Sequence, residues 1–262
     1  MKHVGTNGYK SFINKNFTSI YKQKYKLIHF KQDIKNTKKF KKFIESNNLD
    51  YFIHFAGLSS LKCQIDKENC FKINYVATKN IIDQLNKINN KPFFIFISSC
   101  HVYKKSNYKL NESSKTKPES LYGELKLKAE NYIKKNYKNY CILRVFNIYG
   151  ENQPQSFFIP DISKKIKNNE LIKINKSIRD FIHVKAVARV IDFVIKKRIV
   201  STINVGSGNG HKLFSIVKKI ANKYKIKPNL IVTNKFDKIV ADIKLLRSLK
   251  FKFKSNEKNL NI

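Results

Sequence analysis

Short apolar runs alternate along the chain with longer stretches in which apolar residues recur at helical spacing. The runs fall at residues 25–30, 51–55, 93–97, 141–146 and 202–205, each the length of a buried strand. Between them, residues 12–24, 37–47, 74–88, 120–136, 184–198 and 213–224 read as amphipathic helices. In the stretch 74–88, Val76, Ile81, Leu85 and Ile88 lie near helical spacing and define one buried face. Strands that alternate with helices of this length predict βαβ units, because parallel neighbours need a crossover and a helix supplies it. The regularity fades between residues 151 and 180 and again after Pro228. The pattern predicts an α/β class fold: a doubly wound parallel sheet with a smaller C-terminal cap.

Composition narrows this little. The 262 residues carry 54 Lys and Arg against 18 Asp and Glu, a formal charge of +36. Clustered cations release counterions from phosphates and would suggest nucleic acid. Here only 5 of the basic residues are Arg, and the Lys are spread along the whole chain. Base reading uses the Arg fork, so no specific nucleic-acid partner is expected; A-rich codons, which supply Lys and Asn together, account for the charge. No apolar run reaches the ~18–20 residues that cross a bilayer, and the first residues form no apolar signal segment. Cys63, Cys70, Cys100 and Cys141 sit singly, so neither a disulfide framework nor a metal site is expected. A cytoplasmic, reducing location follows as an expectation.

Glycine is scarce, with 8 in the chain, so each should stand where the backbone needs it. Gly5-Thr6-Asn7-Gly8-Tyr9-Lys10-Ser11 opens the first helix, the place where backbone N–H groups and the helix dipole can meet a pyrophosphate. Alone, it reads equally well as an Asn-Gly turn. The run ending in Phe55-Ala56-Gly57 puts small residues at the carboxyl end of a strand, where a ligand can approach closely; His54, inside that run, reads as a packed core residue. The run 93–97 leads into Ser98-Ser99-Cys100-His101-Val102-Tyr103, and Ser120-Leu121-Tyr122-Gly123-Glu124-Leu125-Lys126 enters a helix some twenty residues on. Tyr122 and Lys126 at i, i+4 share a helix face. A nearby ammonium would lower the phenol's pKa from about 10 toward working pH, as acid–base chemistry requires.

With these residues together, the sequence resembles the extended short-chain dehydrogenase/reductase superfamily, in its NAD-dependent epimerase/dehydratase group of nucleotide-sugar enzymes. The resemblance runs in order from Gly5 to Ser11 through Asp33-Ile34, residues 53–57, 74–80 and 98–103, Tyr122 to Lys126 with Glu130, and 143–150. It continues with Arg179-Asp180-Phe181-Ile182-His183-Val184 and Asn204-Val205-Gly206-Ser207-Gly208. It implies a Rossmann-like core over about 1–148 and 179–205, with the substrate-binding part over about 149–178 and 206–262. Tyr122 would be the proton donor and acceptor, Lys126 its tuner and a ribose ligand, and Ser99 the substrate-hydroxyl partner. Gly5, Asn7, Gly8, Tyr9, Phe55, Ala56, Gly57, Asn74 and Phe146 would line the cofactor, with Asp33 and Ile34 beside its adenine. Asn147 and Arg179 would hold the diphosphate of a nucleotide-diphosphate sugar; a guanidinium fork suits phosphate. The group often pairs as a homodimer through helices like 74–88 and 120–136.

Four departures refine this expectation. Cys100 and His101 stand where dehydratases of the group carry an Asp-Glu pair, which sets the 4,6-dehydratase aside. Lys31 stands where an acid would bind the ribose 2′-hydroxyl of NAD; a cation there suits a 2′-phosphate, so of NAD or NADP the second is favoured. Ser11 replaces a third glycine after a short first strand, and the C-terminal part is compact, without the usual acid after His183-Val184. A 4-epimerase and a 4-keto reductase share the expected site. The alternatives from other classes are a non-catalytic dinucleotide-binding paralogue and a polyanion-binding protein.

Overall fold

A computed structural model describes residues 1–254 together with Glu257 and Leu260; the rest of the expected second part, up to 262, lies outside the described residues. In chain order the elements are β1 (His3–Thr6), α1 (Phe12–Tyr21), β2 (Lys26–His29), α2 (Thr37–Glu45), β3 (Tyr51–His54), α3 (Ser60–Ile65), α4 (Lys67–Phe71), α5 (Ala77–Leu85) and β4 (Phe93–Ser99). There follow α6 (Leu121–Asn136), β5 (Tyr140–Val145), β6 (Asn147–Tyr149), α7 (Phe158–Lys167), β7 (Ile172–Asn175), β8 (Ile178–His183), α8 (Val184–Lys197) and β9 (Ser201–Val205). The last are β10 (Gly210–Lys212), α9 (Leu213–Tyr224), β11 (Leu230–Thr233), β12 (Lys238–Ile239) and α10 (Lys244–Ser248).

The central parallel sheet has six strands in the order β2-β1-β3-β4-β5-β9. The chain moves outward from β1 to β2, then crosses back to lay β3 on the other side of β1. That reversal opens a crevice at the carboxyl ends of β1 and β3, the place where doubly wound sheets bind ligands. The expected α/β class and parallel sheet are both present. Strands β3 and β4 are buried along their whole length, Tyr51–His54 and Phe93–Ser99, because helices cover both faces of such a sheet. One core cluster packs Phe30, Phe40, Phe52, Phe94 and Phe96 against Ile81, Ile82, Leu85 and Ile133, with rings meeting edge-on at Phe30–Phe40 and Phe40–Phe52.

The chain divides into two compact units: residues 1–104, 115–145 and 187–203, and residues 105–114, 146–186 and 204–262. Segment 105–114 belongs to the second unit, because Leu110 bridges to Ala241 and donates to the Val240 carbonyl at 2.8 Å. Strand β8 belongs there too, flanked by β10 and β12 in a separate sheet that also pairs β6. The second unit has its own core of Ile159, Ile162, Ile166, Ile172, Phe181, Val217 and Ile220. The region 151–180, without clear period in the sequence, contains α7 and β7, which pack against α9 and pair with β11.

One cysteine expectation is corrected. Cys63 and Cys70 form a disulfide, with Cα atoms 5.0 Å apart. The break between α3 and α4 brings them together: the Asp66 carboxylate accepts from Asn69 N at 2.9 Å, ends one helix and caps the next. Cys100 and Cys141 are free and buried. Among the described residues, no helix is long and apolar enough to cross a membrane.

Candidate active site

The turn after β1 is built for close approach. Gly8 has φ +62°, and a Cβ there would stand 2.6 Å from the Ala56 nitrogen; the residue has to be glycine for the loop after β1 to lie on the loop after β3. Gly5 is needed for packing, since its Cβ would press on Leu49 at 2.5 Å. Ser11, in place of a third glycine, is the N-cap of α1 and accepts from Asn14 N at 3.3 Å. Tyr9 is exposed beside Lys10.

Asn7 is buried, with its side chain turned inward. Its Oδ1 accepts from Ala56 N at 2.9 Å, and its amide lies against His54 Nδ1, with Nδ2 at 2.9 Å and Oδ1 at 3.0 Å. His54 Nε2 lies in hydrogen-bond contact with Thr78 Oγ1 at 2.9 Å, and Thr78 Oγ1 lies 3.3 Å from the Asn74 carbonyl. Burial pushes His54 down to about 3, with the charge of Lys126 adding to it, so the ring is neutral. This is the packed core histidine that the sequence suggested. The relay ties the β1 turn to the π-helical turn Lys72–Val76 between α4 and α5, which carries Asn74; the Asn74 side chain accepts from Leu58 N at 2.8 Å and donates to Leu58 O at 3.1 Å and both disulfide sulfurs at 3.3 Å. Asn74 thereby fixes the stretch that follows Gly57.

Ser99, Tyr122 and Lys126 come together. Ser99 ends β4, and its Oγ accepts from His101 N at 3.2 Å and hydrogen-bonds the Tyr122 phenol. Tyr122 is half-buried on the first turn of α6, edge-on to the His101 ring at 5.4 Å. Ser120 caps that helix, accepting from Gly123 N at 3.2 Å, and Gly123 admits the His101 carbonyl where a Cβ would stand 2.3 Å away. Lys126, 5% exposed, donates to Ile97 O at 2.8 Å and lies over the Phe96 ring at 4.7 Å. One turn further, Glu130 (0%) holds Arg144 (3%) through Nη2 at 2.7 Å and accepts from Ser98 Oγ at 2.6 Å. Arg144 is thus structural.

The protonation pattern corrects one expectation. Tyr122 is pushed up to about 12, chiefly by burial; the Ser99 hydrogen bond pulls it down, and Cys100 adds to the rise. The sequence suggested a phenol lowered by Lys126. Instead Lys126 carries the large shift, down to about 8 by burial and held up in part by Glu130. Its ammonium is directed at the Ile97 carbonyl, so the phenol's dominant influence is the apolar packing around it.

The residues fit a dinucleotide. Among the described residues, the buried Lys126 ammonium has a single protein acceptor, Ile97 O, which leaves donors for ribose hydroxyls. A Cβ on Gly57 would approach Asn74 Oδ1 at 3.1 Å and Lys126 Nζ at 3.3 Å, so glycine keeps this corner open. Phe55 is buried against Phe17. Lys31 is exposed just beyond β2, where an acid binds ribose hydroxyls in NAD-specific sheets. Asp33 is exposed and caps a turn by accepting from Lys35 N at 2.9 Å, while Ile34 packs into the core.

Phe146, Asn147 and Arg179 belong to the second unit. Phe146 is buried and donates from its backbone to Val205 O at 3.0 Å. Asn147 Nδ2 donates to Asp180 O at 2.9 Å. Asp180, buried, accepts from Ser207 N, Ser207 Oγ, Gly208 N and Ala241 N between 2.6 and 3.1 Å and so holds the segment after β9 and the segment after β12 to β8. Arg179 pairs with Asp237, a partner that the irregular stretch after Pro228 had concealed.

Fold and site together define a dinucleotide-binding α/β protein with a serine, tyrosine and lysine at the carboxyl edge of its sheet. The match to the NAD dependent epimerase/dehydratase family spans residues 7–206, and the chain belongs to that family. It is 27% identical over 248 residues to the UDP-glucose 4-epimerase uge1 of Schizosaccharomyces pombe, covering 78% of this chain and 69% of that one. Its fold matches MoeE5 in complex with UDP-glucose and NAD (TM-score 0.84, 20% identity, 97% of this chain and 94% of that chain). It also matches the dTDP-4-dehydrorhamnose reductase of Bacillus anthracis in complex with NADP (TM-score 0.85, 19% identity, 96% and 93%).

Proposed function

We propose that the chain is an NAD(P)-dependent nucleotide-sugar enzyme that moves a hydride at a sugar carbon, with Tyr122 exchanging the proton. The hydrogen bond between Ser99 and Tyr122, with Lys126 one helical turn on, carries the proposal. The nicotinamide, when bound, supplies the hydride acceptor and donor. Tyr122 Oη exchanges a proton with the sugar oxygen whose carbon is oxidised or reduced, and Ser99 Oγ donates to that same oxygen. Lys126, charged at neutral pH even at about 8, supplies positive potential as phenolate character develops and holds ribose hydroxyls with its remaining donors. Asn147 and Arg179 bind the diphosphate.

A 4-epimerase is the leading reading, supported by the UDP-glucose 4-epimerase relative. A 4-keto reductase using NADPH is the second, supported by the exposed Lys31 beyond β2. The complete set of Ser99, Tyr122 and Lys126 argues against a non-catalytic paralogue.

The test is turnover of UDP-galactose and UDP-glucose with each dinucleotide, in the wild type and in Tyr122→Phe. The substitution is expected to lower turnover by about a hundredfold or more while dinucleotide affinity stays within about twofold. An unchanged rate would remove Tyr122 from the mechanism.

A further inference from the structure

The Cys63–Cys70 disulfide stands against the corner formed by Gly57, Asn74 and Lys126. Both cysteines are buried, and they form an apolar cluster with Leu125 of α6, joined at its edge by Leu58, Tyr75, Leu121 and Tyr122. Their sulfurs converge on one group: Asn74 Nδ2 lies 3.3 Å from each of them. The two N–H groups of that amide serve three acceptors, the sulfurs and the Leu58 carbonyl at 3.1 Å. Its orientation is fixed by Leu58 N, a backbone donor that requires Oδ1 at 2.8 Å. That same oxygen is the atom a Cβ on Gly57 would meet at 3.1 Å. The disulfide therefore acts on the corner through a single side chain.

The segment it closes reaches further. Asn69, inside the loop between the two cysteines, accepts from Lys35 Nζ at 3.2 Å, just beyond the turn that Asp33 caps. Asn74 itself sits on the π-helical turn Lys72–Val76, a conformation frequent at functional sites. A disulfide sulfur only accepts hydrogen bonds, whereas a thiol also donates. Breaking the S–S bond sets two S–H groups against an amide N–H₂ inside a buried cluster, donor facing donor. Cys63 Sγ also lies 3.9 Å from Leu58 O, so its thiol would compete for the carbonyl that Asn74 now uses. Turning the amide over satisfies the thiols and strips Leu58 N of its acceptor.

We propose that the Cys63–Cys70 pair is a redox latch on the dinucleotide site: the disulfide keeps Asn74 turned to Leu58, and reduction to two thiols lowers dinucleotide affinity. This rests on the dinucleotide reading of the Gly57, Asn74 and Lys126 corner given above. The reductant is an external dithiol. Its thiolate attacks one sulfur, the S–S bond breaks and a mixed disulfide forms, and its second thiol then displaces the protein sulfur. Two electrons and two protons pass to Cys63 and Cys70, and the dithiol leaves as a cyclic disulfide. Because both sulfurs are buried, exchange requires local opening of α3, a helix of six residues. Binding and reduction are linked, so a dinucleotide that prefers the oxidised form makes the bond harder to reduce by the same factor.

The experiment is titration of NADH and NADPH into the full chain, treated with oxidised glutathione or with dithiothreitol, followed by nicotinamide fluorescence. Alkylation after denaturation reads the state: two thiols, Cys100 and Cys141, are labelled in the oxidised form and all four in the reduced form. Reduction is expected to weaken the bound dinucleotide about tenfold. Saturating dinucleotide should then lower the midpoint potential of the pair by about 30 mV. The double variant Cys63→Ala/Cys70→Ala is expected to bind like the reduced wild type and to ignore dithiothreitol. Asn74→Ala should weaken binding in both states and erase the difference between them. Equal affinities in the two states, a difference that persists in Asn74→Ala, or four labelled thiols after oxidised glutathione would overturn the latch and leave the dinucleotide reading standing. Binding in neither state would overturn that underlying reading, and the latch with it.

Discussion

Burial of the Lys126 ammonium carries a free-energy cost. Its pKa falls from 10.5 to about 8, so keeping it charged in the folded state costs about 3 kcal/mol relative to the unfolded chain. The sign is fixed by proton counting. Between pH 8 and 10.5 the unfolded lysine holds its proton and the folded one does not, so this group's contribution to stability rises with pH. Below pH 8 both states are charged and the full penalty applies. Lys126→Met removes the penalty and also the bond to Ile97 O, worth about 1 kcal/mol. At pH 7 the variant is therefore expected to be about 2 kcal/mol more stable than the wild type. Near pH 10.5 it should be about 1 kcal/mol less stable. Urea denaturation of both proteins at the two pH values, followed by circular dichroism, reads the difference between the differences, in which every other titrating group cancels. A stability difference that does not change with pH would refute the reasoning, as would a variant less stable at pH 7.

Two further substitutions test the frame behind the site. His54 is neutral when folded, at about 3 against 6.5, so below pH 6.5 only the unfolded chain takes up its proton and stability falls by about 1.4 kcal/mol per pH unit; relative to His54→Gln, the wild type's urea midpoint should decline across pH 6 to 4. Arg144→Met leaves the Glu130 carboxylate buried without its fork and is expected to cost about 3–5 kcal/mol in denaturation, whereas the double change with Glu130→Leu should recover most of it.

Much of the first unit was legible because its signals are local. The strand 93–97 has no polar interruption, Tyr122 and Lys126 fall on one helix face by spacing, and Gly8 marks a turn only glycine adopts easily. Signals that depend on pairing across sequence distance were invisible. Glu130 and Arg144 lie 14 residues apart on a helix and a strand, and their bond shows only when α6 packs on β5. Asn14 looks like a poor helix residue, yet it is buried in α1, donating to Thr6 Oγ1 at 3.3 Å and Asn7 O at 3.0 Å. The disulfide was missed because seven residues across a helix break carry no familiar spacing. The direction of the Tyr122 shift was misread because a charge at i+4 is visible in sequence, whereas the packing that desolvates the phenol is not. In the second unit β6, β10 and β12 are two or three residues long, too short for any period to register.

The central claim is that the turn after β1 and the corner at Gly57, Asn74 and Lys126 hold a nicotinamide dinucleotide. NADH and NADPH titrated into the full chain at moderate salt, followed by nicotinamide fluorescence, test it directly; the chain contains no Trp to interfere. The expected result is saturable binding of at least one dinucleotide by the wild type, lost in Gly8→Ala, where φ +62° and a Cβ 2.6 Å from Ala56 N cannot be accommodated without moving the loop. Tighter binding of NADPH would assign Lys31 to the 2′-phosphate and favour the reductase. Saturation by neither dinucleotide, or binding indifferent to Gly8→Ala, would contradict the account.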